Sequence, residues 1–181
     1  MSPEEARSIL AEADLLVTAE ESALAVRRVA GEIAARLDKT NPLVLAVMGG
    51  AVVFTGQLLP QLAFPLDFDY LHVTRYGDVT TGGSLRWVVE PRVSVSGRTV
   101  LVVDDILDEG VTMKAIVERL REQGAREVLS AVFAEKDLGR AKPIHADFTG
   151  LRLPNRYVFG YGMDVKGAWR NLPAVYAVKG L

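Results

Sequence analysis

Four acidic residues lie close together in the stretch Val100 to Met113, which reads VLVVDDILDEGVTM. Asp104-Asp105 ends an apolar run that is typical of a buried strand, and Asp108-Glu109-Gly110 leads into a helical pattern from Val111 to Gln123. A short loop between a strand and a helix directs several backbone N–H groups at the space above it, which favours an anion. Carboxylates beside such donors indicate a ligand that carries hydroxyls or a metal as well as phosphate.

The composition excludes several other kinds of site. The 181 residues include no cysteine and two histidines, so zinc–thiolate sites, thiol nucleophiles and disulfides are excluded and a histidine-rich metal site is disfavoured. A net charge of −2 gives no general attraction to nucleic acid or to an anionic membrane. No apolar run approaches the length of a membrane span, and the acidic N-terminus does not resemble a signal peptide. We therefore expect a cytoplasmic protein that binds small molecules and neither nucleic acid nor membrane.

The surrounding pattern predicts an α/β domain that positions these residues. Two capping boxes, Ser2-Pro3-Glu4-Glu5 and Thr18-Ala19-Glu20-Glu21, predict helices that end near Ala13 and Asp38. A further helical segment is predicted over residues 52–62. Apolar runs predict strands over residues 43–48, 64–76, 84–89, from 100 onwards, 127–133, 157–159 and 174–178. Because strands and helices alternate, the sheet is expected to be mainly parallel. Residues 137–147 are predicted to be irregular, and the glycine-rich residues 77–83 to form a mobile loop over a site or a long hairpin connection.

The stretch VLVVDDILDEGVT resembles the phosphoribosyl-pyrophosphate loop of the type I phosphoribosyltransferases, in which an apolar strand precedes two acidic residues, two apolar residues and Asp-Thr-Gly-x-Thr. Other stretches resemble the hypoxanthine-guanine branch, in the family's order: VMGG at 47–50, DYLHVTRYG at 69–77, Lys136, and RYVFGYGMDVKGAWRNLP at 156–173. The resemblance implies a mainly parallel twisted sheet flanked by helices, in one domain with a core at about 40–150. It also implies a small hood from about 1–17 and 150–181, and a homodimer or homotetramer.

The resemblance further implies an enzyme of purine salvage. Such an enzyme uses Mg²⁺ and transfers the 5-phosphoribosyl group of phosphoribosyl pyrophosphate to N9 of hypoxanthine, and of guanine, giving IMP or GMP and pyrophosphate. Asp108 is then the acid–base group near purine N7. The resemblance implies that phosphoribosyl pyrophosphate is bound by Met48, Gly49, Asp104, Asp105, Asp108, Glu109, Gly110, Val111, Thr112 and Arg170. It implies that the purine is contacted by Lys136, Tyr157, Val158 and Asp164, and the metal by Asp104, Asp105 and Asp164. A flexible loop over the site is implied to include Arg75 and Tyr76.

Three positions depart from the family's pattern. Met48 stands where relatives commonly have lysine, Arg75 replaces the serine of a Ser-Tyr pair and adds a positive charge, and Glu109 replaces a threonine. A carboxylate about 4 Å from the phosphate would cost on the order of 4 kcal/mol. We therefore predict that the Glu109 side chain points away from the phosphate. The resemblance also implies a cis peptide bond between Val47 and Met48.

Two other classes of function stay open in the sequence. One is a phosphoribosyltransferase-like regulator that senses nucleotide and binds nucleic acid or protein. The other is a receiver-like phosphorylation module, since receivers also end a strand in two aspartates. Single residues have ordinary structural alternatives as well: Asp108 could cap the helix, Lys136 could be a surface lysine, and Tyr157 could pack in the core. The resemblance implies that backbone carbonyls contact the 2-position of the purine, so side chains leave the preference among hypoxanthine, guanine and xanthine open.

Overall fold

The computed structural model describes residues 1–76 and 84–180, without the side chains of Arg75, Tyr76 and Ser84. The loop predicted at residues 77–83 lies outside the described residues, and so do the side-chain roles predicted for Arg75 and Tyr76.

Helices account for a large part of the described chain, and capping boxes begin the first two. Their bounds are α1 (Pro3–Glu12), α2 (Ala19–Leu37), α3 (Val52–Leu58), which continues into a 3₁₀ turn at Leu59–Gln61, and α4 (Val111–Glu122). The Thr18 side chain accepts from the Glu21 amide, while the Glu21 carboxylate accepts from the Thr18 amide. Ser2 and Glu5 make the same reciprocal bonds. The predicted starts and ends of both helices are confirmed.

The strands form a large sheet and a small one. Their bounds are β1 (Asp14–Val17), β2 (Leu43–Met48), β3 (Asp67–Tyr76), β4 (Ser84–Val89), β5 (Thr99–Leu107), β6 (Glu127–Lys136), β7 (Phe148–Leu153), β8 (Val158–Phe159) and β9 (Val175–Ala177). The large sheet has the order β4-β3-β2-β5-β6-β7, in which β4 alone is antiparallel to its neighbour. The expected mainly parallel sheet is thus confirmed. The small antiparallel sheet, β1-β9-β8, joins the two ends of the chain.

Several strands differ from their predicted extents. β5 does not end at the two aspartates but continues to Leu107, which pairs with Glu135 of β6. β6 continues past Phe133 to Lys136, which pairs with Leu153 of β7. β1 and β7 were not predicted. The interior of β7 contains Gly150, which weakens a strand pattern, yet a side chain at this position would overlap the Phe133 carbonyl oxygen of β6. Pairing with β6 therefore explains both the strand and its glycine.

Apolar side chains fill both faces of the large sheet. One face packs against α2 and α3, and its core includes Val29, Ile33, Phe54, Leu101 and Phe133. The opposite face packs against α4, and its core includes Leu45, Val102, Ile116, Leu120 and Val132. Parallel strands buried on both faces leave their carboxyl ends as the accessible edge of the sheet. Within residues 1–76 and 84–180, no helix is long and apolar enough to cross a membrane.

Candidate active site

The carboxyl ends of β5 and β6 place Asp108 and Lys136 side by side. Leu107, the last residue of β5, pairs with Glu135 of β6, so the next residue of each strand reaches the same edge. Lys136 Nζ lies 2.6 Å from Asp108 Oδ2, and the Lys136 side chain is only 11% exposed. Lys136 is therefore no surface lysine. A carboxylate and an ammonium group, predicted separately from the sequence, form one ion pair at the end of the sheet.

A small cavity lies above the turn from β5 to α4. Its volume is about 140 Å³, and its lining is Asp104, Ile106, Leu107, Asp108, Glu109, Gly110, Thr112 and Met113. The N-cap of α4 is Gly110, which has a φ of 81° and provides no side-chain bond. Asp108 is thus not the helix cap. The N-terminus of a helix that lacks a side-chain cap directs its N–H groups at this cavity, which suits a phosphate.

A second cavity shares Asp108 with the first. Its volume is about 160 Å³, and its lining is Asp105, Ile106, Asp108, Lys136, Tyr157, Val158, Met163 and Asp164. Four residues predicted to contact a purine, one from β6 and the rest from residues 157–164, therefore converge here. Tyr157 is 41% exposed, so its ring is not a core side chain. Larger clefts elsewhere, such as one of about 440 Å³ beside α2, lack this convergence of carboxylates.

Asp104 and Asp105 form a tight carboxyl pair. Burial raises the pKa of Asp104 well above its ordinary value, and the neighbouring Asp105 carboxylate raises that pKa further. Burial also raises the pKa of Asp105, although the Ile106 amide and the Arg170 guanidinium act in the opposite direction. Hydroxyl donors or a cation would relieve this repulsion, and both were predicted as ligands of the pair.

The glycines next to β2 bring the backbone against Asp105. A side chain at Gly50 would overlap the Asp105 carboxylate, and one at Gly162 would overlap the Gly50 carbonyl oxygen. The cis peptide bond lies between Met48 and Gly49, so its predicted position between Val47 and Met48 is wrong. The reason is that β2 pairs regularly with β3 through Met48, which keeps the preceding peptide in the strand.

Residues 160–171 form a loop that brings Arg170 and Asp164 to the site. Arg170 Nη1 donates to the Gly162 carbonyl at 2.7 Å, and Arg170 Nη2 lies 2.5 Å from Asp164 Oδ1. Trp169 Nε1 donates to the Ala6 carbonyl of α1 at 2.7 Å. The N-terminal helix therefore contacts the loop that carries two predicted site residues.

Glu109 pairs with a residue that the sequence did not single out. Its Oε1 lies 3.1 Å from Arg140 Nη2, and both side chains are exposed. This contact gives Glu109 a positive partner near the phosphate cavity.

Sequence reasoning missed four residues around the site. Gly50 and Gly162 lie within the stretches 47–50 and 156–173 named above, but their steric role was not predicted. That role depends on which distant segments pack against each other. Glu135 and Lys142 are buried and charged, and both contact the ends of β5 or β6. The position of Glu135 directly before Lys136 in the chain is the one feature of the sequence that indicates a place near the site.

Comparisons with known proteins show which family the chain resembles in sequence and in fold. The sequence model of the family described as "Phosphoribosyl transferase domain" matches residues 13–166. The chain is 32% identical over 166 residues to hypoxanthine-guanine phosphoribosyltransferase of Bacillus subtilis (strain 168), which covers 91% of this chain and 92% of that protein. It is 33% identical over 155 residues to hypoxanthine-guanine-xanthine phosphoribosyltransferase of Tritrichomonas foetus, covering 85% of each. Hypoxanthine phosphoribosyltransferase of Trypanosoma cruzi, solved as a ternary substrates complex, superposes with a TM-score of 0.85 at 29% identity, covering 93% of this chain and 97% of that one.

Proposed function

We propose, since this chain belongs to the phosphoribosyltransferase family, that it transfers the 5-phosphoribosyl group of phosphoribosyl pyrophosphate to N9 of a 6-oxopurine. The products are IMP, or GMP from guanine, and pyrophosphate, so the enzyme serves purine salvage. No described feature supports the regulator alternative, and the relatives reported above are named as transferases. Membership in the family also excludes the receiver-like alternative.

The observation that carries this proposal is the pair of Asp108 and Lys136, whose charged atoms lie 2.6 Å apart. A 6-oxopurine presents N7 and O6 as neighbouring acceptors on one edge. In the base tautomer that carries a proton on N7, Lys136 donates to O6 and the Asp108 carboxylate takes the N7 proton as N9 bonds to C1 of the ribose and pyrophosphate departs from C1. Adenine has an amino group in place of O6, so its donor would face the ammonium group. The pair thus selects 6-oxopurines.

The neighbouring residues hold the rest of the two substrates. The backbone of residues 109–112 and the Thr112 hydroxyl bind the 5′-phosphate, and Asp104 and Asp105 bind the ribose hydroxyls. Tyr157 stacks on the purine, and the Val158 carbonyl contacts its 2-position. The pyrophosphate binds to the backbone of Met48 and Gly49 and to the Arg170 guanidinium, which suits a bidentate anion. A closed arrangement of this kind positions C1 of the ribose against N9 of the base.

Magnesium fits the carboxylates of the site only together with a substrate. Within the described ranges, no three acidic or histidine side chains lie close enough to hold a metal ion between them. Mg²⁺ commonly binds one or two carboxylates and takes its other oxygens from phosphates and water. Asp104, Asp105 and Asp164 are the proposed protein ligands, and the ion would neutralise charge on the departing pyrophosphate. Asp164 forms an ion pair with Arg170, so the proposed metal ligand lies beside the proposed pyrophosphate contact.

An assay with Mg²⁺, phosphoribosyl pyrophosphate and each of hypoxanthine, guanine, xanthine and adenine tests the proposal. We expect nucleotide and pyrophosphate in equal amounts with hypoxanthine and guanine, and little product with adenine. Activity with adenine alone would contradict the role of Lys136, and inactivity with all four bases would contradict the proposed function. Omission of Mg²⁺ should abolish turnover. Light scattering on the same sample tests the proposed homodimer or homotetramer.

A further inference from the structure

Lys142 is a buried lysine whose ammonium group joins the ends of the two strands that lead to Asp108 and Lys136. Its side chain is only 3% exposed. Lys142 Nζ donates to the Leu107 carbonyl at 3.1 Å, to the Glu135 carboxylate at 3.4 Å and to the Lys136 carbonyl. An ammonium group has three N–H donors, so these three acceptors use all of them.

The two carbonyls lie where the backbone pairing of β5 and β6 stops. The last pair of that ladder is Leu107 with Glu135. Beyond it, Lys142 bonds a carbonyl of each strand, as a backbone donor would do in a longer ladder. One carbonyl directly precedes Asp108, and the other belongs to Lys136 itself. Lys142 therefore sets the separation of the backbone beneath the two residues proposed to recognise the purine.

Glu135 supplies the buried counter-charge that holds Lys142. Its side chain is 6% exposed, and its Oε1 also lies 2.8 Å from His145 Nδ1. Burial raises the pKa of Glu135, but the bonds to His145 and Lys142 outweigh burial, so the pKa lies below its ordinary value. Thr149 donates its hydroxyl to the other carboxylate oxygen at 3.4 Å. Glu135 is thus held by His145 of the irregular segment and by Thr149 of β7, and it in turn holds Lys142.

We infer that Lys142 is a positioning residue for base recognition: it holds Asp108 and Lys136 at the separation that matches N7 and O6 of one purine. This inference rests on the function proposed above. Loss of the ammonium group removes the bond that Lys142 makes to each of the two carbonyls and the counter-charge of the Glu135 carboxylate, so the strand ends would move apart or admit water. Such a shift changes base selectivity, which a purely structural role would leave unchanged.

The Lys142→Met variant tests this inference because it removes the charge and the donors but keeps an unbranched side chain. We expect kcat/KM for hypoxanthine to fall about 100-fold, as for a misplacement of about 1 Å in a catalytic group. The preference for hypoxanthine over adenine should fall with it. Lys142→Arg keeps the charge and the donors, so it should recover part of kcat/KM and part of the preference for hypoxanthine over adenine. Lys39→Met changes an exposed lysine at the opposite edge of the sheet and should behave as wild type.

A double-mutant cycle separates positioning from general damage. In a Lys136→Met background, Lys142→Met should cost clearly less than in wild type, because the ammonium group that it positions is already absent. Fully additive losses, or unchanged hypoxanthine-over-adenine selectivity, would overturn the inference. If Lys142→Met does not fold, Lys142→Gln, which removes the charge but keeps a polar side chain, takes its place: a reduced preference for hypoxanthine over adenine supports the inference and a wild-type preference overturns it. Wild-type protein inactive with every base would instead overturn the proposed function.

Discussion

Asp108 lies at the junction of the two small cavities and has Lys136 as its ion-pair partner. In the proposed reaction its carboxylate meets purine N7, while the same loop binds the 5′-phosphate through backbone atoms. In this proposal the proton transfer depends on the Asp108 side chain, whereas phosphate binding depends on the backbone of the same segment. A change of the Asp108 side chain should therefore affect turnover without affecting phosphate binding.

Replacement of Asp108 by asparagine should abolish proton exchange at N7 while leaving the phosphate loop in place. General acid–base catalysis contributes about 10²–10⁴-fold, so we expect kcat for hypoxanthine to fall by at least about 100-fold. Calorimetry should show phosphoribosyl pyrophosphate still binding. The matched control is Asp38→Asn, an exposed aspartate at the end of α2, which should leave kcat unchanged. Near-wild-type turnover of Asp108→Asn with intact binding would show that the acid–base assignment is wrong.

Glu109 places a negative charge beside the cavity proposed to bind the 5′-phosphate, and Arg140 is its partner at 3.1 Å. Glu109→Thr restores the family's residue and leaves Arg140 available to the phosphate. Because exposed ion pairs are worth about 1 kcal/mol or less, we expect phosphoribosyl pyrophosphate to bind up to about fivefold more tightly at low salt. The gain should shrink as ionic strength rises. Glu122→Thr, at the far end of α4, is the control, and calorimetry showing equal or weaker binding of Glu109→Thr would contradict this prediction.

At the scale of elements, the site depends on close contact between the segment after β2, the end of β5 and the loop of residues 160–171. A side chain at Gly50 would overlap the Asp105 carboxylate, and one at Gly162 would overlap the Gly50 carbonyl oxygen and crowd Asp105. These contacts leave no room for side chains. The loop of residues 160–171 is further held by α1, through the bond from Trp169 to Ala6.

The pair of variants Gly162→Ala and Gly167→Ala measures this contact between segments. Both glycines have positive φ, 101° and 85°, so alanine at either position costs about 1–2 kcal/mol in backbone strain. A side chain at Gly167 meets open space, whereas one at Gly162 overlaps the Gly50 carbonyl oxygen, which should cost about 1–3 kcal/mol more. Urea unfolding measures the loss of stability in each variant. We also expect weaker pyrophosphate binding for Gly162→Ala alone, and equal effects of the two variants would contradict close packing at Gly162.

For the molecule as a whole, buried carboxyl groups make the free energy of unfolding depend on pH in two opposite ways. Burial raises the pKa values of Asp104 and Asp105, so their charged forms oppose folding at neutral pH. Asp69 behaves in the opposite manner. Burial raises its pKa, but bonds from the Val93, Tyr70 and Arg92 amides outweigh burial, so the pKa of Asp69 lies below its ordinary value. The proposed site thus reduces stability, whereas Asp69 contributes to it.

Asp69→Asn should therefore destabilise the protein at neutral pH and matter less in acid. A carboxyl with a lowered pKa in the folded state stabilises above its unfolded pKa of about 3.9, and that contribution is lost as the pH falls through this value toward the folded pKa. We expect a loss of about 1–3 kcal/mol in the free energy of unfolding at pH 7. The difference from wild type should narrow below about pH 4. Urea unfolding at several pH values measures this difference, with the exposed Asp38→Asn as control. A difference that is constant with pH would contradict the role given to the Asp69 charge.

Local interactions explain what could be predicted. The boundaries of α1 and α2 followed from capping boxes, because Ser2 with Glu5 and Thr18 with Glu21 complete their bonds within one turn. β2 was predicted residue for residue, since a strand buried on both faces is a continuous apolar run. The two acidic pairs and the following glycine likewise indicated a ligand that carries phosphate together with hydroxyls or a metal, and the chain belongs to the phosphoribosyltransferase family.

The α/β class, the helix starts, the family and the side chains that could do the chemistry could thus be predicted from residue types and spacing. Which of these side chains meet follows from the packing of distant segments. The ends of β5 and β6, the pairing of β7 with β6, and the contacts of Lys142, Gly50 and Gly162 all join segments distant in the chain. The physical reason is that a buried lysine or a crowded glycine is specified by the carbonyl or carboxylate that packs against it, and that neighbour is chosen by the register of the whole sheet.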